Sequence, residues 1–182
     1  MEHIWLYLSL VLMSLYSVSL ILVLLYSLSQ LNLLWNYVQF KKKKEKNPIL
    51  DISDPEKVPF ITIQLPVFNE LYVMERLLEC INLIDYPKAK LEIQVLDDST
   101  DESVELTRGL VENLKHEGLD ITQIRRKDRV GFKAGALKEG LITAKGEFIA
   151  IFDADFLPEP DFLKKTLPHF FKNKNIGVVQ TR

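Results

Sequence analysis

Apolar side chains dominate the start of the chain, and no charged residue occurs between Ile4 and Phe40. The densest stretch, Ile4 to Leu28, would reach about 37 Å as a helix, enough to cross a bilayer with some tilt. Its serines (Ser9, Ser14, Ser17, Ser19, Ser27) can bond back to helix carbonyls, which makes them tolerable in lipid. Trp5 and Tyr7 at one end, and Trp35 and Tyr37 beyond the other, suit the two membrane interfaces. A cleaved signal peptide is the rival reading. It fits poorly: no basic residue precedes the apolar run, no small-residue cleavage site follows it, and Lys41-Lys42-Lys43-Lys44-Glu45-Lys46 stands where a stop-transfer flank belongs. Residues 1–40 are therefore expected to be an uncleaved anchor, with everything after residue 40 facing the cytosol, where the basic flank normally lies.

Residues 41–59 carry charges and Pro48, Pro55 and Pro59, and read as a linker. Beyond them strand and helix patterns alternate through residues 60–182. Phe60–Val67, Leu91–Leu96, Asp120–Ile124, Glu147–Phe152 and Ile176–Gln180 read as strands, the fourth as a buried one. Helical spacing runs over Glu70–Asn82, with Leu71, Met74, Leu77, Leu78 and Ile81 on one face. It recurs from Ser99-Thr100-Asp101-Glu102, which has the form of a capping box, to His116. Lys133–Ala144 would bury Ala134, Leu137 and Leu141, and a last helix would open at Pro158-Glu159-Pro160-Asp161 and run to Phe171. Alternation of this kind predicts an α/β fold with a mostly parallel sheet covered on both faces, and ligands beyond the carboxyl ends of its strands.

Composition changes this picture little. A formal net charge of −2 over 182 residues gives no sign of a nucleic-acid partner, and 47% hydrophobic residues are enough for a packed core. The single cysteine, Cys80, cannot form an internal disulfide and is expected to be a buried thiol in the second helical pattern.

Two acidic clusters follow strands directly and should meet at one sheet edge. Asp153 and Asp155 are two apart, so an extended backbone points both carboxylates the same way, and hard oxygen donors of this kind suit Mg²⁺ or Mn²⁺. Asp97-Asp98-Ser99-Thr100-Asp101 forms the second cluster; helix capping accounts for Ser99 and Asp101 but requires no pair of acids before them. Arg125-Arg126-Lys127-Asp128-Arg129, by itself most simply a solvated loop, leads into Gly131-Phe132-Lys133-Ala134-Gly135. There a helix N-terminus, two glycines and a lysine could receive phosphate. The loop is not a Walker A motif, and no Gly-x-Gly-x-x-Gly is present. A divalent cation, a lysine and a helix N-terminus together suit a diphosphate leaving group, such as a nucleotide sugar carries.

The ordered segments Leu65-Pro66-Val67-Phe68-Asn69-Glu70, Gln94–Asp101, Gly131–Gly140 and Phe152–Phe162 resemble the processive family-2 glycosyltransferases, in particular the cellulose-synthase-like group that includes glucomannan 4-β-mannosyltransferases. The likeness covers about residues 58–182. It implies a GT-A-type nucleotide-sugar-binding fold behind one transmembrane helix. It also implies inverting, metal-dependent transfer of a hexosyl group from a UDP- or GDP-sugar to a growing β-linked polysaccharide of the cell-wall kind. Pro66, Phe68 and Glu70 would line the nucleoside pocket, and Asp98, with Asp97 beside it, would bind the base as the donor-site acid. Lys133 would contact the nucleotide or its phosphates, and Asp153 and Asp155 would hold the metal, Asp155 the more strongly. Gln180-Thr181-Arg182 would lead towards the acceptor cleft. The family's catalytic base and its Gln-x-x-Arg-Trp motif are expected beyond Arg182, so the chain is expected to be the N-terminal part of a longer enzyme. Two alternatives remain at this point: a related transferase with a lipid acceptor, and a non-catalytic membrane-anchored partner that binds nucleotide sugar.

Overall fold

A computed structural model describes residues 2–42 and 49–181. The chain divides into two compact units, Met1–Asn47 and Pro48–Arg182. Lys43–Lys46 of the basic run, and Arg182, lie outside the described residues.

The described residues of the first unit form the helix α1 (Glu2–Lys42). Its most apolar 18-residue stretch has a mean hydropathy of 2.5, and the His3–Phe40 portion is long and apolar enough to cross a membrane. Ser9, Ser14, Ser17 and Ser27 each donate to a carbonyl three or four residues earlier, as expected of hydroxyls in an apolar helix. Forty-one residues of helix measure about 62 Å, roughly twice a hydrocarbon core, so the helix runs well past the apolar stretch.

Among the described residues the second unit holds four strands, β1 (Ile61–Val67), β2 (Leu91–Asp97), β3 (Asp120–Ile124) and β4 (Phe148–Ile151), in the order β3-β2-β1-β4. Every neighbouring pair is parallel. Between them lie α2 (Met74–Asn82), α3 (Ser103–His116) and α4 (Phe132–Thr143), and α5 (Phe162–Lys172) follows β4. Central strands β1 and β2 are buried almost throughout. Ile61, Ile63 and Leu65, with Leu91, Ile93 and Val95 in register beside them, form one apolar core with Met74, Leu77, Leu78 and Ile81 of α2. The opposite face is polar: Thr62 donates to Glu92 at 2.6 Å and Gln64 to Gln94 at 3.0 Å, both pairs in register. Buried polar groups need such partners. α4 covers this face, and Gly140 is where it comes closest, since a Cβ there would fall 2.5 Å from Gln64 Nε2.

Strand order steps outward from β1 to β3, then returns to the far side of β1. With right-handed crossovers, that reversal puts α4 on the other face and leaves a crevice at the carboxyl ends of β1 and β4.

Several expected elements are corrected. Ile176–Gln180 is not a strand; it pairs with nothing among the described residues, and β-rich sequence without a ladder partner has no reason to extend. β4 is not fully buried, because it pairs with β1 alone and forms an edge; Ile151 is exposed, whereas Phe152 just beyond it is buried. α4 buries Ala136 and Gly140, while Ala134 and Leu141 face outward, since only small side chains fit so close to the sheet. No capping box forms at Ser99 and Glu102. α3 starts at Ser103, whose N–H donates to Asp101. Cys80 is half-buried.

α5 begins after Pro160 and contains Pro168. Proline has no N–H to give the carbonyl of Lys164, and Leu50 N–H donates to that oxygen instead, at 2.8 Å. Leu50 and Ile52 pack against the core and Val58 is buried, so residues 49–59 belong to the globular unit and are not a free linker.

Candidate functional site: a cleft at the strand ends

The carboxyl ends of β1, β2 and β4 and the start of α4 enclose a cleft of about 340 Å³. β1 and the loop after it contribute Pro66, Val67, Phe68 and Glu70; β2 and the turn after it contribute Leu96 and Asp98. The loop before α4 supplies Arg129, α4 itself Lys133 and Ala136, and the turn after β4 Asp153, Ala154 and Asp155. Six of the seven expected nucleotide-sugar-binding positions thus meet in one place: Pro66, Phe68, Glu70, Asp98, Lys133 and Asp153. So does the second metal candidate, Asp155.

Asp97 is the exception. It is buried, its Oδ1 accepts from Ser99 N–H at 2.8 Å and its Oδ2 from Gln123 Nε2 at 2.7 Å. Strand alternation turns it away from the cleft when Asp98 faces it. Its carboxylate shapes the Asp98–Thr100 turn. Asn69 ties that turn to β1: its N–H donates to Ser99 Oγ and its Oδ1 accepts from Thr100 N–H, both at 2.9 Å. Asn69 takes a left-handed φ of 56°, which asparagine tolerates better than most residues.

Asp98 is nearly enclosed, its side chain 7% exposed. Arg126 grips both oxygens, Nε on Oδ1 at 2.8 Å and Nη2 on Oδ2 at 2.5 Å, and Arg129 Nε lies 3.8 Å away. The Asp98 hydrogen bond pushes the Arg126 guanidinium above its already high ordinary value, so it stays charged. Arg129 Cζ lies over the Phe68 ring, 3.3 Å from its centroid, and 5.3 Å from that of Phe132. Sequence reasoning read these arginines as a solvated loop. The available signal was their position between a strand's carboxyl end and the next helix, which in a parallel sheet is the ligand edge.

Across the cleft Lys133 Nζ donates to Asp153 Oδ1, both side chains about half exposed. Asp153 and Asp155 sit in a tight turn, closed by Phe156 N–H donating to Asp153 O at 2.9 Å, and do not extend the strand. Phe152 beneath them stacks on Phe156 and meets Phe162 edge-on, anchoring the turn in the core. Among the described residues no group of three or more His, Cys, Asp or Glu side chains could hold a metal alone. Two accessible hard carboxylates facing a cleft still fit Mg²⁺ or Mn²⁺, which take one or two carboxylates and complete their shell with substrate phosphates. The N–H groups of Lys133 and Ala134 have no hydrogen-bond partner among the described residues, so the α4 N-terminus offers donors beside these acids.

Comparison with known proteins matches residues 62–182 to the family described as glycosyl transferase family 2. Glucomannan 4-beta-mannosyltransferase 1 of Oryza sativa subsp. japonica is 43% identical over 144 residues, covering 75% of this chain and 27% of that protein. Glucomannan 4-beta-mannosyltransferase 2 of Arabidopsis thaliana is 39% identical, covering 79% and 28% respectively. The chain therefore spans about a quarter of the length of these curated relatives. Among solved structures, the mannosyltransferase PcManGT from Pyrobaculum calidifontis, in complex with GDP-Man and Mn²⁺, superposes with a TM-score of 0.60 at 34% identity, over 76% of this chain and 39% of that one. S. aureus TarS 1-349 in complex with UDP shares the fold at a TM-score of 0.54 and 22% identity, over 66% and 38%.

Proposed function

This chain belongs to glycosyl transferase family 2, and on that premise we propose that it is the donor-binding part of a membrane-bound, inverting hexosyltransferase. The donor is a GDP- or UDP-sugar, with GDP-mannose the first candidate, and the acceptor is a growing β-linked polysaccharide of the mannan or glucomannan kind. Relatives named glucomannan mannosyltransferases and a neighbour bound to GDP-Man and Mn²⁺ support that reading. The observation that carries it is the meeting of Lys133, Asp153 and Asp155 opposite Phe68 at one end of a parallel sheet.

In this reading the Pro66–Glu70 side takes the nucleoside, and Phe68 and Arg129 give the base a flat apolar and cationic surface. Lys133 and the N–H groups of the first turn of α4 neutralise the diphosphate as the glycosidic bond to it breaks. Asp153 and Asp155 hold a divalent cation, which supplies Lewis-acid stabilisation of the same leaving group. Ala154 and Phe152 keep the turn fixed, so the charges are arranged before the donor arrives.

In this reading α1 anchors the enzyme and residues 41–182 face the cytosol, which the basic run after residue 40 supports. A reporter active only in the cytosol, fused after residue 182, would test this; a well-expressed but silent fusion would overturn it. For the activity, the chain with its anchor in detergent is titrated with GDP-mannose, UDP-glucose and their free nucleosides, with and without Mn²⁺. Metal-dependent binding of one nucleotide sugar is expected. Binding of neither, by folded protein, would defeat the proposal.

A further inference from the structure

We infer that Arg126 is the positioning residue of the phosphate side of the cleft, and that Asp98 acts on the donor through it. The inference rests on the donor-binding reading above. Arg126 makes four hydrogen bonds: two to Asp98, one from Nη1 to Val130 O at 2.8 Å and one from Nη2 to Phe132 O at 2.9 Å. Its side chain is only 11% exposed. The two carbonyls bracket Gly131, and both Gly131 (φ 75°) and Phe132 (φ 47°) are in the left-handed region. For a phenylalanine that conformation costs about 1–3 kcal/mol and persists only where the surroundings hold it. Packing does not hold Phe132, because its side chain is 67% exposed. Two backbone restraints act there: Phe132 N–H donates to Arg129 O at 3.1 Å, and the guanidinium holds the carbonyls of Val130 and Phe132 on either side of Gly131.

The next residue is Lys133, the cation that reaches Asp153. Direction and height of that lysine follow from the two left-handed residues before it. Gly135 tightens the same arrangement: a Cβ there would fall 2.0 Å from Val130 O and 2.5 Å from Arg126 Nη1. Asp98, each of whose oxygens accepts from Arg126, is the seat of the guanidinium. A lysine in place of Arg126 would keep the charge but lose the planar fork that serves a carboxylate and two carbonyls together.

The chain in detergent with Mn²⁺ is titrated by calorimetry with GDP and UDP, and with guanosine and uridine. Arg126→Gln and Arg126→Lys should each lose diphosphate affinity by about ten-fold, the size of one charge-assisted hydrogen bond, and nucleoside affinity by less than about two-fold. Arg126→Gln combined with Lys133→Ala should bind the diphosphate no more weakly than Lys133→Ala alone, because the first change acts through the second residue. Additive losses, or equal loss of nucleoside and diphosphate, would overturn the inference. So would melting so far lowered in both Arg126 variants that neither folds at the assay temperature, since the residue would then be a structural tie. If the unaltered chain binds neither GDP nor UDP, the donor-binding reading itself fails and takes this inference with it.

Discussion

Lys133 donates to Asp153 across the mouth of the cleft, so in the ligand-free chain an ammonium occupies a carboxylate that suits a divalent cation. Both side chains are about half exposed, which limits the pair to about 0–1 kcal/mol. Lys133→Ala should therefore raise the affinity of the free chain for Mn²⁺ by up to about five-fold. The same change should weaken GDP or UDP, because the ammonium that leaves Asp153 is the one that meets phosphate. Titration of Mn²⁺ by electron paramagnetic resonance, without nucleotide, reads the first effect. Unchanged or lower Mn²⁺ affinity would show that the two sites do not compete.

Asp155 differs from Asp153 in having no hydrogen bond or ion pair to another described residue, while lining the same cleft. Asp155→Ala should remove the Mn²⁺-dependent part of GDP or UDP binding and leave the metal-independent part. Because Asp155 is exposed and bonds to nothing here, the change in stability should stay within about 0.5 kcal/mol. Paired calorimetry and melting curves check both; metal-dependent affinity equal to the unaltered chain would reduce Asp155 to a turn residue.

The strands around the cleft were legible because β1 and β2 alternate apolar and polar residues, Ile61-Thr62-Ile63-Gln64-Leu65 and Leu91-Glu92-Ile93-Gln94-Val95, and because Asp98, Asp153 and Lys133 sit where such runs end or the next helix begins. Less legible was anything that depends on neighbours. Val178 and Val179 have the composition of a strand, yet a strand needs a partner, and none pairs with them among the described residues. Leu141 fits the helical spacing of a buried face, but the helix approaches the sheet through Ala136 and Gly140, which sequence periodicity undervalues because small side chains carry little hydrophobic weight. Asp97 and Asp98 are equivalent by residue type; only the pleat, which sends one inward to Gln123 and the other to Arg126, separates their roles. The arginines were hidden for the same reason: a charge run looks solvated until the carboxylate it meets, 28 positions away in the case of Arg126, is placed beside it.

Tyr86 makes the fold sensitive to alkali. Its hydroxyl donates to Pro59 O at 2.6 Å, and burial, reinforced by the negative charge of Glu147, pushes it from 10.0 up to about 12. The folded chain thus keeps a proton that the unfolded chain loses between those values. The stability this group supplies is whole below pH 10 and declines as pH rises to 12. Tyr86→Phe should cost about 0.5–1.5 kcal/mol at pH 8 through the lost hydrogen bond, yet decline less steeply between pH 10 and 12. Urea midpoints for both proteins at pH 8 and pH 11 measure the difference. Lys145 and Lys165, held above their ordinary range by Asp120 and by Asp161 and Glu159, are common to both proteins and cancel. Equal alkaline losses would mean that Tyr86 is not the responsible group.

Gly140→Ala sets two effects of opposite sign against each other. Alanine favours a helix interior over glycine by about 1 kcal/mol, so on an open helix face the change would stabilise. Here the new methyl would fall 2.5 Å from Gln64 Nε2, 2.8 Å from Gln94 Oε1 and 2.9 Å from Leu96 Cδ2. All three belong to the two central strands, where Gln64 and Gln94 are buried and bonded to each other at 3.0 Å. Overpacking such a site costs about 1–3 kcal/mol, and parting the two amides in a dry interior adds about 1–3 kcal/mol for groups left unpaired. The penalty exceeds the helix gain, so Gly140→Ala should destabilise by about 1–5 kcal/mol and lower the melting temperature by several degrees. The cause can be separated from a general intolerance of the helix. In a Gln64→Ala background the nearest atom is gone and Gln94 is free to turn aside, so the same Gly140→Ala change should cost clearly less relative to Gln64→Ala alone. A loss of equal size in both backgrounds would place the conflict elsewhere in α4.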